Sequence, residues 1–133
     1  MKRIMVDMSA TLIHHGHIRL LRKAKKKGKV IVALTLDKEI LKYKGYLPEL
    51  NYASRFEIIN AIKYVDEVVP CPWLINEEFL NLHNIDYLVH GHDNSNQLPK
   101  SRLLIFQRTK NISSSILRGR VLKSIYKTYL KRK

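Results

Sequence analysis

Two imidazoles three residues apart are the first chemical signal in this chain. His14 and His17 stand in Thr11-Leu12-Ile13-His14-His15-Gly16-His17-Ile18-Arg19-Leu20-Leu21. Two histidines at that spacing can both donate hydrogen bonds to one set of phosphate oxygens. Gly16 removes a side chain where a phosphate and the backbone approach closely. A metal site is a rival use of paired histidines, but the single cysteine is Cys71 and no nearby Asp or Glu completes a ligand set. A solvated turn is the plainer alternative. What flanks the pair favours phosphate over both.

Before it runs Arg3-Ile4-Met5-Val6, apolar with strand character. After it, Ile18, Leu21 and Ala24 fall on one helical face, with Arg22, Lys25 and Lys26 elsewhere. The histidines therefore sit on a strand-to-helix turn, where free N–H groups and the helix dipole favour an anion.

The remaining chain alternates in the same way. Residues 3–7 read as the first strand and 17–27 as the first helix, stopped by Gly28. Val30 to Thr35 is a near-continuous apolar run, as for a strand buried on both faces. Residues 37–48 are polar, carry Lys42, Lys44 and Gly45, and read as a loop. A helix over 52–63 places Phe56, Ile59 and Ile62 together. The third strand is 65–69, ended by Pro70 and Pro72. A short helix at 76–82 precedes the fourth strand, 87–89, which leads into His90-Gly91-His92-Asp93. After a polar loop at 94–101 comes the fifth strand, 103–106. A last helix starts at Ile112 with Ser113 as a cap. This pattern predicts a single-domain α/β fold, a Rossmann-like doubly wound parallel sheet of five strands with right-handed crossovers. Such sheets bind ligands beyond the carboxyl ends of their strands. Residues 9–17, 42–45, 90–93 and 108–114 all fall there.

A chain of 133 residues is long enough for one core, and one cysteine fits a reducing compartment rather than a disulfide framework. No apolar stretch reads as a signal peptide or a membrane span, and a cytoplasmic location is expected. The net charge of +14 is concentrated in two places. Residues 19–29 hold seven basic residues and no acid, and residues 118–133 hold seven more and no acid; elsewhere 11 bases meet 11 acids. The second segment interleaves Val121, Leu122, Ile125, Tyr129 and Leu130 with its charges. It predicts an amphipathic basic tail, 119–133, helical and docked on domain 1–118 or on a partner subunit, with anionic lipid or nucleic acid as other uses. A nucleic-acid module is the competing function class suggested by charge, but the basic stretches carry few aromatics and no RNA-binding motif, so no specific nucleic-acid partner is expected.

With these residues in place, the chain resembles the small cytidylyltransferase family of the H-x-G-H nucleotidyltransferase superfamily, and within it the glycerol-3-phosphate cytidylyltransferases. The matches run in order: His14 to His17, Lys44-Gly45, Arg55, Tyr64-Val65-Asp66-Glu67-Val68, Gly91-His92-Asp93, and Arg108-Thr109-Lys110-Asn111-Ile112-Ser113-Ser114-Ser115. The last resembles the family's R-T-x-G-I-S-[ST]-T. The resemblance covers residues 3 to 118.

It implies transfer of CMP from CTP to a small phosphate acceptor, glycerol-3-phosphate foremost, with release of pyrophosphate. Phosphonate, phosphocholine and phosphoethanolamine acceptors, or adenylyl transfer on the same fold, are the alternatives. His14 and His17 would act on the CTP phosphates. Lys44, with Lys42 as its rival, would bridge acceptor and α-phosphate. Arg108 would hold phosphate, and Ser113 and Ser114 the β and γ groups. Met8, Ser9, Ala10, Gly16, Thr109 and Ile112 would complete the CTP site, and Gly91, His92 and Asp93 would lie by cytosine and ribose. Arg55 and Trp73 would serve the acceptor. Mg2+ would arrive on the CTP phosphates, with no metal site built by side chains, and the family implies a homodimer. Several positions depart from the pattern. Met8-Ser9-Ala10-Thr11 stands where G-T-F-D is usual, so Thr11 replaces an aspartate. Asp7 matches an aspartate that choline- and ethanolamine-phosphate cytidylyltransferases carry seven positions before the first histidine. His92 replaces an aspartate, Asn94 a tryptophan and Lys63 an arginine. Asn111 replaces a glycine, and asparagine tolerates left-handed φ.

Overall fold

The computed structural model describes residues 1–90 and 96–130, the last of these by its backbone alone. Five parallel strands form one sheet: β1 (Arg3–Met8), β2 (Lys29–Thr35), β3 (Glu67–Cys71), β4 (Tyr87–His90) and β5 (Leu103–Ile105), in the order β3-β2-β1-β4-β5. The chain winds from β1 out to β3, then returns to place β4 on the other side of β1. The C-terminal ends of β1 and β4 thus flank the switch point, where such sheets open a crevice.

Side-chain alternation along β1 sorts the core into two layers. Ile4, Val6 and Met8 join Leu21 and Ala24 of helix α1 (His15–Lys25) and Ile59 of α3 (Tyr52–Asn60). Met5 faces the other way, towards Leu80 of α4 (Glu77–Leu82), Ile75 and Cys71. Burial pushes the Cys71 thiol up to about 12, so it packs as an inert apolar group.

Three local expectations are corrected. Residues 37–44 form a helix, α2 (Asp37–Lys44), not a loop. Asp37 and Glu39 lie in its first turn and Lys42 and Lys44 in its last, matching the dipole, while Ile40 is buried. Gly45 ends it at φ 82. Pro70 lies inside β3, paired with Leu34, rather than ending it; an edge strand tolerates the missing N–H. Gly28 is not a helix stop, since α1 is capped at Lys26. A Cβ at Gly28 would instead lie 2.2 Å from the Lys2 carbonyl oxygen, at the entry to β2. The basic tail, expected to be helical and docked on domain 1–118 or on a partner subunit, is helical, and its residues 121–129 are exposed in the one chain. Helix α5 (Ser114–Ile125) runs on into a π-helical turn, Tyr126–Leu130. Along it Leu122 and Tyr129 are both 68% exposed.

Candidate active site

The turn between β1 and α1 is held from three sides. Thr35 of β2 donates to the Met8 carbonyl at 3.3 Å. Arg55 of α3 donates to the Ser9 carbonyl at 2.7 Å. Ser114 of α5 donates to the Leu12 carbonyl at 3.0 Å. Under these constraints Ala10 takes φ 49, a left-handed conformation that costs an L-residue about 1 kcal/mol, and Thr11 is 2% exposed. Strain of this kind collects where a backbone is shaped around a ligand.

The two histidines cap the helix they introduce. Gly16 N–H donates to His14 Nδ1 at 3.1 Å, and His14 N–H donates to His17 Nδ1 at 3.2 Å, a capping box built from imidazoles. Both Nδ1 atoms are therefore acceptors, and the hydrogen-bond pattern assigns the remaining proton of each neutral ring to Nε2. Burial pushes His17 down to about 4 and lowers His14 in the same direction. Two neutral Nε2–H donors result, their ring centroids 4.0 Å apart. A polyphosphate bound beside them would draw both pKa values back up. Gly16 serves the rings directly: a Cβ there would lie 2.8 Å from His14 Cε1 and 2.9 Å from its Nδ1.

Two adjoining cavities open at the crevice. The first, about 440 Å³, is lined by Met8, Ser9 and Ala10, by His14, Gly16 and His17, and by Arg108, Thr109 and Ile112. Ser113 and Ser114 line it too, at the start of α5. Ser113 Oγ accepts the Ile116 N–H at 3.0 Å, so it is the helix cap. Its hydroxyl proton remains to donate, whereas that of Ser114 is committed to Leu12. Asn111, just before, takes φ 63, the left-handed conformation expected of the residue replacing glycine.

The second cavity, about 380 Å³, is lined by Asp7, Trp73, His90, Asn96 and Phe106 among others. Trp73 stacks on Tyr43 at 5.4 Å. Burial raises the Asp7 carboxyl above the usual range, against a hydrogen bond from Asn96 and the nearby charges of His90 and Arg108. Lys44 and Arg108 line both cavities. The structure thus brings Lys44 to the site, with Nζ 5.7 Å from the Trp73 ring, while Lys42 lies over Tyr43 and lines neither cavity.

Arg55, expected on the acceptor, lines neither cavity. It is 1% exposed, and its guanidinium donates to Leu50 O, Ser9 O and Asp37 Oδ1, the last at 2.6 Å. It supports the Ser9 turn from beneath. Asp66 is likewise structural, holding Lys25 and the Val30 N–H. Gly91, His92 and Asp93 lie outside the described residues. The sequence passed over Tyr46, Ser115 and Arg118 as site residues, although all three line the first cavity. Arg118 was legible only as one charge of a basic tail.

A family model described as cytidylyltransferase-like matches residues 9–120. The chain belongs to the cytidylyltransferase-like family. A glycerol-3-phosphate cytidylyltransferase of Staphylococcus aureus (strain NCTC 8325 / PS 47) is 33% identical over 123 residues, covering 86% of this chain and 91% of that protein. The ethanolamine-phosphate cytidylyltransferase of Mus musculus is 35% identical over 132 residues, 90% of this chain but 32% of the mouse protein. The chain spans about a third of the length of the ethanolamine-phosphate relatives it matches. In fold it is similar to the lipopolysaccharide core biosynthesis protein from Thermoplasma volcanium GSS1, with TM-score 0.62 and 20% identity over 92% of this chain and 88% of that one. No helix among the described residues is long and apolar enough to cross a membrane.

Proposed function

We propose that this cytidylyltransferase-like protein moves CMP from CTP to a small phosphate-bearing acceptor, releasing pyrophosphate and leaving a CDP-linked product. The observation that carries the reading is the shared wall of two cavities, with Lys44 and Arg108 lining both. An oxygen of the acceptor phosphate attacks the α-phosphorus of CTP, and the bond to the bridging oxygen breaks. Pyrophosphate leaves with the electron pair. Both reactants are anions, so cations are needed where they meet, and Lys44 and Arg108 supply them. The Nε2–H groups of His14 and His17 act as preorganised donors where charge develops on the transferring phosphate. Ser113 and the first-turn N–H groups of α5 receive the β and γ phosphates. Met8, Ser9 and Ala10 border the nucleotide, and Gly91, His92 and Asp93 are assigned to cytosine and ribose.

Mg2+ enters this reading as part of the CTP it accompanies. Among the described residues no group of three His, Cys, Asp or Glu stands ready for a metal. Mg2+ that keeps its waters and binds mainly phosphate oxygens fits such a site without a cage. It would neutralise phosphate charge. A CTP-dependent reaction and a single free thiol suit the cytoplasm.

Glycerol-3-phosphate is the acceptor supported by the Staphylococcus aureus relative, which this chain covers nearly end to end. A second reading, an ammonium-bearing acceptor such as phosphoethanolamine or phosphocholine, is favoured by Trp73, which lines the acceptor cavity alone, and by Asp7, which lines both cavities. An aromatic face attracts a cation, and an ammonium beside Asp7 would favour the ionised form that burial opposes. We also assign the exposed stripe of Val121, Leu122, Ile125, Tyr126 and Tyr129 to a second copy of the chain. It continues, at helical spacing, the side of α5 on which Arg118 meets the domain. Truncation after Arg120 would then shift a dimer to monomer in sedimentation.

The deciding experiment is pyrophosphate release with CTP or ATP against glycerol-3-phosphate, phosphoethanolamine, phosphocholine and 2-hydroxyethylphosphonate. Turnover with CTP and one acceptor is expected. Turnover with ATP alone would move the protein to adenylyl transfer. No release with any pair, together with no CTP binding by calorimetry, would refute the reading.

A further inference from the structure

The segment between α2 and α3 leaves Lys44 through Gly45 and returns at Asn51, the cap of α3. The hydrogen bonds described as reaching Tyr46 and Glu49 from distant parts of the chain come from Arg118 on α5. Its Nη1–H donates to Tyr46 Oη at 2.7 Å, its Nη2–H to Glu49 Oε2 at 2.9 Å, and its Nε–H to Glu49 Oε1. The guanidinium also lies 4.4 Å from the Tyr46 ring centroid. This two-pronged grip on the carboxylate, with the ring beneath, uses the planar fork that distinguishes arginine from lysine. It holds the Glu49 carboxyl below its usual range.

The grip joins the two halves of the site. Lys44, one residue before Gly45, is, with Arg108, one of two cations at the junction of the cavities. Ser114, four residues before Arg118, lies one turn earlier on α5, at the N-terminal end of the helix, which lines the first cavity. Tyr46 and Arg118 themselves line the nucleotide cavity. Gly45, at φ 82 with no atom within 4 Å of an added Cβ, starts the segment in open space. Without the grip, no described hydrogen bond or ion pair ties residues 46–49 to α5.

We propose that Arg118 is a positioning residue for the transfer. It clasps segment 45–50 onto α5 and so sets Lys44 against the nucleotide held by that helix's N-terminus. The proposal rests on the cytidylyl-transfer reading and adds a residue to it. Arg118 acts through Glu49 and Tyr46 on Lys44, so a small displacement of the lysine is its route to the rate. A misplacement of about 1 Å in such a site costs up to roughly a hundredfold.

The test uses the full chain with Arg118→Met, Arg118→Lys, Glu49→Ala and the Met/Ala double variant, with Arg120→Met as the control. Steady-state kinetics, CTP calorimetry and amide hydrogen exchange over 45–50 are measured on each. Arg118→Met and Glu49→Ala should each lower kcat about tenfold and raise the acceptor KM. CTP affinity should stay within about twofold, because the nucleotide site keeps its own ligands. The double variant should be no worse than Arg118→Met, as for residues acting as one unit. Arg118→Lys should fall between, and Arg120→Met should match wild type. Exchange over 45–50 should quicken wherever the clasp is broken. Wild-type kinetics in Glu49→Ala would overturn the proposal. So would additive defects with weakened CTP binding in Arg118→Met, which would make Arg118 a nucleotide ligand instead. A wild-type chain without pyrophosphate release overturns the transfer reading, and with it the positioning role. Unchanged exchange in Arg118→Met overturns the clasp by itself, whatever the activity.

Discussion

Replacing His17 by asparagine separates the two tasks of its ring. Nδ1 accepts the His14 N–H at 3.2 Å and closes the capping box, while Nε2–H remains for the cavity. Asparagine Oδ1 occupies the place of Nδ1 and keeps the cap, but nothing replaces Nε2–H. Alanine removes both. Loss of a cap costs about 1 kcal/mol, and in a domain of this length that lowers Tm by roughly 3–5 °C. His17→Ala should therefore melt roughly 3–5 °C below wild type. His17→Asn should stay within about 2 °C of it, since its cap is intact. Turnover should fall in both by roughly 10²–10³, the usual effect of removing one donor aimed at developing charge. The folded-state value of about 4 adds a pH signature. Between the ordinary histidine value of 6.5 and 4 the unfolded chain binds a proton that the folded His17 refuses. The stability contribution of neutral His17 is thus complete above that window and lost as pH falls through it. Wild-type Tm should drop across this range, and the His17→Asn curve should be flatter. Scanning calorimetry and pyrophosphate release read all of this. An asparagine variant with near wild-type turnover would refute the use of Nε2–H, and an alanine variant with unchanged Tm would refute the cap.

Three further outcomes are expected. Gly28→Ala drives a Cβ to 2.2 Å from a backbone oxygen, so urea unfolding should show a loss of about 1–3 kcal/mol with the kinetics of the surviving folded protein unchanged. Arg55→Met takes the guanidinium away from Asp37 Oδ1 and two carbonyls while Asp37 keeps the Tyr52 N–H, so stability should fall by about 1–3 kcal/mol, and calorimetry should show weaker CTP binding as the Ser9 turn slackens. Lys44→Ala should cut turnover far more than it weakens CTP binding, whereas Lys42→Ala should leave both near wild type; the reverse ranking would show that Lys42 holds the junction.

Much of this protein is written in short-range pattern. The apolar runs at 3–7 and 30–35 declare buried parallel strands, because both faces of such a strand meet protein. The paired histidines before a helical stripe mark the strand-to-helix turn that borders the first cavity, and Asn111, standing where the resembled family has glycine, could be read as a left-handed position. Local pattern failed where a neighbour far along the chain decides. Residues 37–44 are polar enough to pass for a loop, and it is the burial of Ile40 and the charges at the two helix ends that make them α2. Pro70 looks like a strand terminator until the sheet order puts β3 at an edge. Gly28 looks like a helix stop until Lys2 is found against it. Arg55 could be matched to a family position, but whether its guanidinium opens into a cavity or lies beneath a turn depends on Ser9, 46 residues away. Arg118 pairs with Glu49 across 69 residues, a distance no periodicity spans. Backbone preference and hydrophobic spacing are local properties and can be read from order in the chain. Which polar groups face one another across a cavity is set only when the sheet order and the helix packing bring distant segments together.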